Sequence, residues 1–414
     1  MYLLLLMLLG CPPTEEDTDD TADTAIDWTL LSDEEVVRGM ISGAHPDSQI
    51  GLLQIAWSNG IPILTERGRW LFVLESQSGV AWSVAGDFNE WEPLAMQEAD
   101  GLAWVEVEIS DPEGQKYKFT HDELWVADRW ARSFEYDEYG EASFVRPPID
   151  RPRLDRWPDL EEQGLLPRDI IVHVPTGGGP WPVLYVQDGQ NLFDPDAFWG
   201  GWQLQSTLAD LPTDILLVGI HSTADRLDEY SHTTEDLDGY ILGGRGDDYA
   251  ALVQEDLRPH IEATYGSTGL DGVLGSSMGG LISLYIAHLY PEAFDFAGSM
   301  SGTLGWGHYG LENPSIEDLY AEAGVREPVL YLDSGGSDGG DGCQDPDQDG
   351  LPEDDPNDAD NYCVTRQFAD RMASVGYTWN ENLLHWHDAD AEHNEAAWAG
   401  RVHLPMETFL SITP

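Results

Sequence analysis

The chain has 414 residues, of which 41% are hydrophobic and 16 are tryptophan, so a wholly disordered protein is excluded and two domains fit its length. With 19 basic and 77 acidic residues the formal net charge is −58. So negative a surface excludes nucleic acid and anionic membrane surfaces as binding partners.

The chain begins with a short apolar segment, MYLLLLMLLGC, which is too short to span a bilayer as a helix. Its end, Leu8 to Cys11, resembles the lipobox of bacterial lipoproteins, with Cys11 as the lipidated first residue of the mature chain. Residues 12–27 are acidic and almost free of apolar side chains, so they cannot contribute to a core. We therefore expect a signal segment at 1–11, a disordered tether at 12–27 and an exported protein whose membrane contact is a lipid anchor. The alternative is a soluble protein.

A small all-β domain is predicted over residues 28–147. It opens with a short helix at 28–44, where Ser32 and Glu35 have the spacing of a capping box. From about residue 60, apolar and polar residues alternate in short runs between turns, which is typical of a β-sandwich.

The segment running from VAGDFNEWEPLAM to YKFTHDELWVADRW resembles the early-set, immunoglobulin-like modules of the glycogen-binding type. The resemblance implies sugar binding on exposed aromatic faces, such as those of Trp91 or Trp125. The alternative is that these tryptophans are core or turn residues and that the module only shapes the mouth of a neighbouring site.

A second domain is predicted over residues 169–414, after a Pro- and charge-rich linker at 148–168. Short apolar runs such as DIIVHV, PVLYVQDG and DILLVGIH alternate with helical segments. This alternation predicts an α/β domain with a mostly parallel sheet and helices on both faces.

The motif GSSMGG lies at residues 275–280, between an apolar strand and an amphipathic helix. A bare G-x-S-x-G occurs by chance, but the strand–turn–helix context predicts a nucleophile elbow with Ser277 at its tip. The flanking glycines are expected because a side chain there would collide with the turn. The Met278 N–H, at the start of the helix, is in position to stabilise an oxyanion.

A serine nucleophile needs a base and an orienting acid, which in this architecture follow it in the order acid, then histidine. Asp338 lies in the loop beyond the strand VLYLDSG, and Asp333 at the strand end is the alternative acid. His393 precedes the last helical run and is the predicted base. His385 and His387 alternate within a strand-like segment and are predicted to be structural.

At this point the chain resembles the esterase D and enterochelin esterase-like family of α/β-hydrolases. The resemblance covers about residues 165–412 and rests on VLYVQDGQNLFD, HSTADRLDEYS, GSSMGG, LDSGGSDG and AEHNEAAW. It implies carboxylic ester hydrolysis through an acyl-enzyme, with Asp338 as acid and His393 as base. It also implies a second oxyanion amide near Gly189 or Gln190.

Arg226 lies in the family-like segment HSTADRLDEYS. One interpretation is that it binds an anionic group of the substrate at the rim of the pocket. The other is that it pairs with Glu229 or Asp225 and fixes the loop.

An acidic insert at 339–363 interrupts the strand–helix alternation. Cys343 and Cys363 bracket it, and with Cys11 lipidated they form the pair that an exported protein can oxidise. Asp345, Asp347 and Asp349 offer hard oxygen ligands at alternate positions, which suits Ca²⁺. Residue 356 is proline rather than glutamate, so the insert is not an EF-hand, and its sequence resembles a thrombospondin type 3 calcium repeat. The alternative is a solvated acidic loop.

The sequence therefore predicts an exported serine esterase that needs no cofactor for catalysis and holds at most a structural calcium. The expected substrate is a small-molecule or carbohydrate ester, such as a siderophore ester or an acylated carbohydrate. Two alternatives stay open. One is a non-catalytic surface carbohydrate-binding protein on a hydrolase scaffold, and the other is an acyltransferase that uses the same three residues.

Overall fold

The computed structural model describes residues 26–412, apart from the side chain of Trp199. The predicted signal segment with Cys11, and the tether up to residue 25, lie outside the described residues. Within that range no helix combines the length and the apolar character needed to cross a bilayer.

Two helices open the described chain: α1 (Asp33–Ile41) and α2 (Ser48–Ser58). The predicted capping box is confirmed, since the Ser32 hydroxyl accepts from the Glu35 N–H and the Glu35 carboxylate accepts from the Ser32 N–H. No sequence pattern indicated α2, which the Asp47 carboxylate caps. Both helices pack on the strands that follow them.

A β-sandwich follows, as predicted. Its ten strands are β1 (Ile63–Leu64), β2 (Trp70–Glu75), β3 (Ser83–Gly86), β4 (Leu94–Ala95), β5 (Gln97–Ala99), β6 (Leu102–Val107), β7 (Lys116–His121), β8 (Leu124–Val126), β9 (Ser133–Asp137) and β10 (Gly140–Phe144). One layer has the order β1-β2-β6-β5, and the other has β9-β10-β7-β3-β4 with β8 beside β7. Phe72 and Val105 from the first layer meet Val84 and Phe119 from the second to form the core.

The second layer of the sandwich continues into the sheet of the next domain. The range 148–168, predicted as a linker, contains strand β11 (Arg153–Leu160), which pairs with β9 at Leu154↔Phe134. That prediction was wrong because the charges in this strand are neutralised locally: the buried Asp155 carboxylate accepts from Arg153, and Arg156 pairs with Glu141 across the sheet. A charged sequence can thus form a buried strand.

The second domain has the predicted α/β architecture. Its remaining strands are β12 (Arg168–Val174), β13 (Trp181–Gln187), β14 (Leu216–Ile220), β15 (Thr234–Leu237), β16 (Tyr240–Gly243), β17 (Ser267–Ser276), β18 (Phe296–Met300), β19 (Val329–Ser334) and β20 (Leu383–His387). The order β14-β13-β17-β18-β19-β20 is parallel throughout, and β12 joins β14 antiparallel. Strands β15 and β16 form a separate hairpin.

Helices cover both faces of this sheet. They are α3 (Leu204–Asp210), α4 (Arg226–Glu229), α5 (Gly246–Ala251), α6 (Arg258–Tyr265), α7 (Met278–Leu289), α8 (Ile316–Ala323), α9 (Tyr362–Val375), α10 (Glu395–Arg401) and α11 (His403–Ser411), with a π-helical stretch at Leu252–Leu257. Helices α5 to α9 pack on one face, and α3, α10 and α11 pack on the other. The carboxyl ends of the parallel strands meet at one edge, where loops of such folds carry functional groups.

Candidate active site

Ser277 stands at the turn between β17 and α7, with φ 55° and ψ −125°. This conformation is strained for a residue with a side chain. The glycines around it are required by close approach: a Cβ on Gly275 would lie 2.5 Å from the Gly279 backbone, and one on Gly280 would lie 2.5 Å from the Ser299 hydroxyl. The structure therefore has the geometry of the predicted nucleophile elbow.

His393 meets this serine. Its Nε2 lies 3.1 Å from the Ser277 Oγ, and the Thr303 hydroxyl lies 3.4 Å from the same oxygen. The Trp398 ring packs edge-on against the imidazole at 5.0 Å between centroids. His385 and His387, the two histidines predicted to be structural, lie in β20. His385 contacts the Ser334 hydroxyl, whereas His387 contacts the Gly336 carbonyl and stacks on Tyr362.

The carboxylate that meets His393 belongs to Asp360, whose Oδ1 lies 2.6 Å from His393 Nδ1. Asp338, the predicted acid, is half-buried, and its Oδ1 accepts from the Gly340 N–H instead. Beyond the end of β19 the chain runs out into the insert after Ser337 and comes back beside Ser337 at Asp358, whose carbonyl accepts the Ser337 N–H. The prediction of Asp338 was wrong because the insert separates the end of β19 from the residue that reaches the histidine.

Asp360 is 2% exposed, and several donors surround its carboxylate. Its Oδ2 accepts from the Ser301 hydroxyl and the Gly335 N–H, each at 2.7 Å, and from Arg401 Nη2 at 3.3 Å. Hydrogen bonds of this kind stabilise a buried carboxylate in its charged form.

Asp333, the alternative acid, does not reach the imidazole. It is fully buried, and its Oδ1 accepts from Arg401 Nε at 3.0 Å. Burial raises the pKa of Asp333 to about 6, although Arg401 opposes the shift. Arg401 thus connects the Asp333 and Asp360 carboxylates, and no sequence motif pointed to this arginine.

The two predicted oxyanion amides come from two different elements. Met278 is the first residue of α7, and Gln190 lies in a tight helical turn, Gly189–Asn191, that follows β13. Neither N–H donates a hydrogen bond within residues 26–412. The Gln190 side chain exchanges two hydrogen bonds with Ser222, which fixes this loop against the end of β14.

Arg226 has a different partner from those considered in the sequence. Its Nε and Nη2 donate to the two oxygens of Asp188 at 2.7 and 2.8 Å, while Glu229 pairs with the buried Arg168. Burial opposes the charge of Arg226, but the Asp188 carboxylate outweighs this effect and raises the guanidinium pKa. The expected pairing with Glu229 or Asp225 was wrong, and the role of Arg226 in substrate binding stays a prediction.

The insert is closed by a disulfide between Cys343 and Cys363, whose Cα atoms are 5.4 Å apart. Within it, carboxylate oxygens of Asp345, Asp347 and Asp349 all lie within 4.8 Å of one another on exposed side chains. Two Ca–O bonds of about 2.4 Å span that distance, so the three residues fit a calcium ion.

Two of the tryptophans in the sandwich lie together at the surface. The rings of Trp91 and Trp125 are 6.3 Å apart, and both line a cavity of about 770 Å³. The exposed ring of Tyr139, which the sequence analysis did not single out, lines it too. Trp70 and Trp130, in contrast, are core residues.

A strand-to-helix elbow with a serine at its tip, on a mostly parallel sheet covered by helices, makes the second domain an α/β-hydrolase. The model of a protein family described as "Putative esterase" matches residues 165–403, which is more than half of the chain. The chain belongs to this esterase family.

One curated protein and several solved structures are similar to parts of this chain. The uncharacterized protein YbbA of Bacillus subtilis is 33% identical over 152 residues, which are 35% of this chain and 58% of YbbA. The enterochelin esterase of Shigella flexneri is similar over 83% of this chain and 92% of its own, with 14% identity and a TM-score of 0.47. The siderophore hydrolase EstA of Aspergillus nidulans is similar over 63% and 95%, with 17% identity and a TM-score of 0.46.

Proposed function

We propose that the protein is a serine carboxylic-ester hydrolase that works through an acyl-enzyme. The observation that carries the proposal is the chain of contacts from Ser277 Oγ to His393 Nε2 at 3.1 Å and from His393 Nδ1 to Asp360 Oδ1 at 2.6 Å. This is the order nucleophile, base and orienting acid that acyl transfer requires. Membership of an esterase family supports the same reaction.

In this mechanism Ser277 Oγ attacks the ester carbonyl carbon while His393 Nε2 takes its proton. The oxyanion that forms is stabilised by the N–H groups of Met278 and Gln190, which have no internal acceptor among the described residues. The Asp360 carboxylate accepts a hydrogen bond from the Nδ1–H of His393 and stabilises the charged form of the imidazole. His393 then gives the proton to the leaving alkoxide. In the second half of the reaction a water molecule attacks the acyl-enzyme in the same way, and the carboxylic acid is released from Ser277.

The test is hydrolysis of a panel of esters, including a catechol siderophore and a feruloyl ester, by the wild type and by Ser277→Ala. The wild type should cleave at least one ester and should react with a fluorophosphonate, and Ser277→Ala should do neither. Ser276→Ala removes the neighbouring hydroxyl, which accepts and donates no side-chain hydrogen bond in the described residues, and should stay active. Turnover by Ser277→Ala, or a wild-type serine inert to the fluorophosphonate, would contradict the proposal.

An acylated carbohydrate is the substrate class that we favour over a siderophore ester. Supporting it is the cavity of the sandwich, which Trp91 and Trp125 line together with Lys116 and Lys118, a mixture of apolar and polar groups that suits a sugar ring. Trp125→Ala should weaken retardation of the protein in gels containing a soluble polysaccharide, whereas Leu124→Ala should not. Retention of binding by Ser277→Ala without any wild-type turnover would favour the non-catalytic alternative. Product analysis with a sugar acceptor would detect acyl transfer.

We also propose that the protein is exported and anchored through a lipid on Cys11. The lipobox-like sequence supports this placement, and so does the disulfide, because such bonds persist in oxidising compartments. Growth with an alkyne-tagged fatty acid should label the wild type and not Cys11→Ser. Equal labelling of both would contradict it.

A further inference from the structure

The proposed catalytic acid, Asp360, lies outside the sheet, two residues before α9. Its Oδ2 is held by Ser301, Gly335 and Arg401, but these contacts restrain only the end of the side chain. The next residue, Asn361, has the left-handed conformation at φ 60°. The backbone at Asp360 therefore needs a restraint of its own.

Asp354 supplies it. One carboxylate oxygen, Oδ2, accepts the N–H groups of Asp360 and Tyr362, each at 2.9 Å, and Oδ1 accepts the N–H of Cys363 at 2.7 Å. Hydrogen bonds to an ionised carboxylate are stronger than those between neutral groups. The Asp354 side chain thus binds backbone N–H groups on both sides of Asn361, the residue with the left-handed conformation.

Asp354 is in turn tied to the sheet. The N–H of its neighbour Asp355 donates to the Ser337 carbonyl at 2.8 Å, close to the end of β19. The disulfide from Cys343 ends at Cys363, one of the three residues whose N–H groups Asp354 binds. The end of β19, the base of the insert and the start of α9 are therefore linked around this carboxylate.

We propose that Asp354 is a positioning residue for the reaction, acting through Asp360 and not on the substrate. It fixes the Asp360 backbone, and through it the 2.6 Å contact with His393. This inference rests on the proposed function, since it presupposes that Asp360 works on His393. Loss of one acceptor oxygen of Asp354 would let the Asp360 carboxylate shift. Shifts of about 1 Å can reduce a catalytic rate about a hundredfold.

The test is a double-mutant cycle in the full chain, with Asp354→Asn, Asp360→Ala and the double variant. Asp354→Asn should lower kcat about tenfold to a hundredfold with KM changed less than twofold. In the Asp360→Ala background the same substitution should change kcat less than twofold, because groups that act as one unit are not additive. The matched control is Asp358→Asn, which removes the same charge from the insert, where its carboxylate accepts no hydrogen bond among the described residues.

Three outcomes would overturn the inference: additive losses of kcat in the double variant, a change in KM with kcat unaffected, or an equal loss of kcat from Asp358→Asn. If Asp354→Asn fails to fold, Asp354→Glu keeps the charge, and thermal melting separates misfolding from mispositioning. The proposed function is tested separately within the same cycle. Full activity of Asp360→Ala would reject the triad itself, whereas a strongly reduced but measurable kcat of Asp360→Ala with additive losses would reject only the role of Asp354.

Discussion

At the scale of single residues, two aspartates in the same loop have opposite surroundings. Asp360 is buried against His393 and accepts three further hydrogen bonds, whereas Asp338 is half-buried and accepts one from the backbone of its own turn. Substitution of the two aspartates should therefore have very different effects on kcat.

Asp360→Ala should lower kcat by about three to four orders of magnitude, because the imidazole loses the group that orients it and stabilises its charge. Asp338→Ala should stay within about twofold of the wild type. Both are measured as kcat on the best ester of the panel, with melting temperatures as a check on folding. A reversed order would restore the sequence-based prediction.

The glycines of the elbow make a second prediction at this scale. Gly275→Ala would place a methyl group 2.5 Å from the Gly279 backbone, and relieving such overpacking costs about 1–3 kcal/mol. The expected result is a lower free energy of unfolding in urea together with lost activity. Gly178→Ala, where nothing lies within 4 Å of the added carbon, should change stability by less than about 0.5 kcal/mol. Equal stability of the two variants would contradict the packing argument.

Ser277 and His393 could be predicted from the sequence because the features that mark them are local. The elbow needs glycines on both sides of the serine, and the histidine lies directly before a helical run. The acid could not be predicted in this way, since its identity depends on where the chain returns after the insert. One signal was available: Asp360 lies two residues before α9, next to a helix rather than next to a strand.

At the scale of elements, the same contrast separates the parallel strands from β11. Strands such as β13 and β14 are nearly continuous apolar runs, as strands buried on both faces must be, and they were predicted. Strand β11 contains Arg153, Asp155 and Arg156 together with a proline. Its burial depends on partners in β9 and β10, which a reading of the strand alone does not reveal.

The insert yields a prediction of its own. If Asp345, Asp347 and Asp349 hold calcium, adding a chelator should lower the melting temperature, because loss of a ligand bound only by the folded state destabilises it. Activity should fall with it, since the insert continues into the residues that hold Asp360. Asp347→Asn should melt as the chelated wild type does and should no longer respond to chelator. An unchanged melting temperature and activity after chelation would mean that the cluster is a solvated acidic loop.

At the scale of the whole molecule, stability should depend on histidines that are buried or half-buried. Burial lowers the pKa from 6.5 to about 4 in five of them, namely His173, His221, His260, His288 and His385. Between these values the unfolded chain binds protons that the folded chain does not, so acidification lowers the free energy of unfolding, at most about 1.4 kcal/mol per pH unit for each imidazole. Buried carboxyls act in the opposite direction, most strongly Asp128 and Asp333, because burial raises their pKa values to about 7 and about 6.

Five imidazoles outweigh two carboxyls, so the protein should lose stability as the pH falls from 7 to 5.5. Urea unfolding at a fixed high salt concentration measures this loss while screening the repulsion among the acidic side chains. His288→Gln should reduce the slope of stability against pH. Stability that stays constant or increases over this range would contradict the dominance of the histidines.

The pairing of β9 with β11, at Phe134 and Leu154, also has a consequence for recombination between such proteins. Phe134 packs into the same apolar cluster as Leu192 and Phe193, which directly follow the turn Gly189–Asn191. Cutting the gene after residue 147 would leave β11 with a bare row of N–H and C=O groups, a template for pairing with foreign chains. Exchange of front halves between members of the family should therefore give a folded protein only when β9 to β12 are exchanged together.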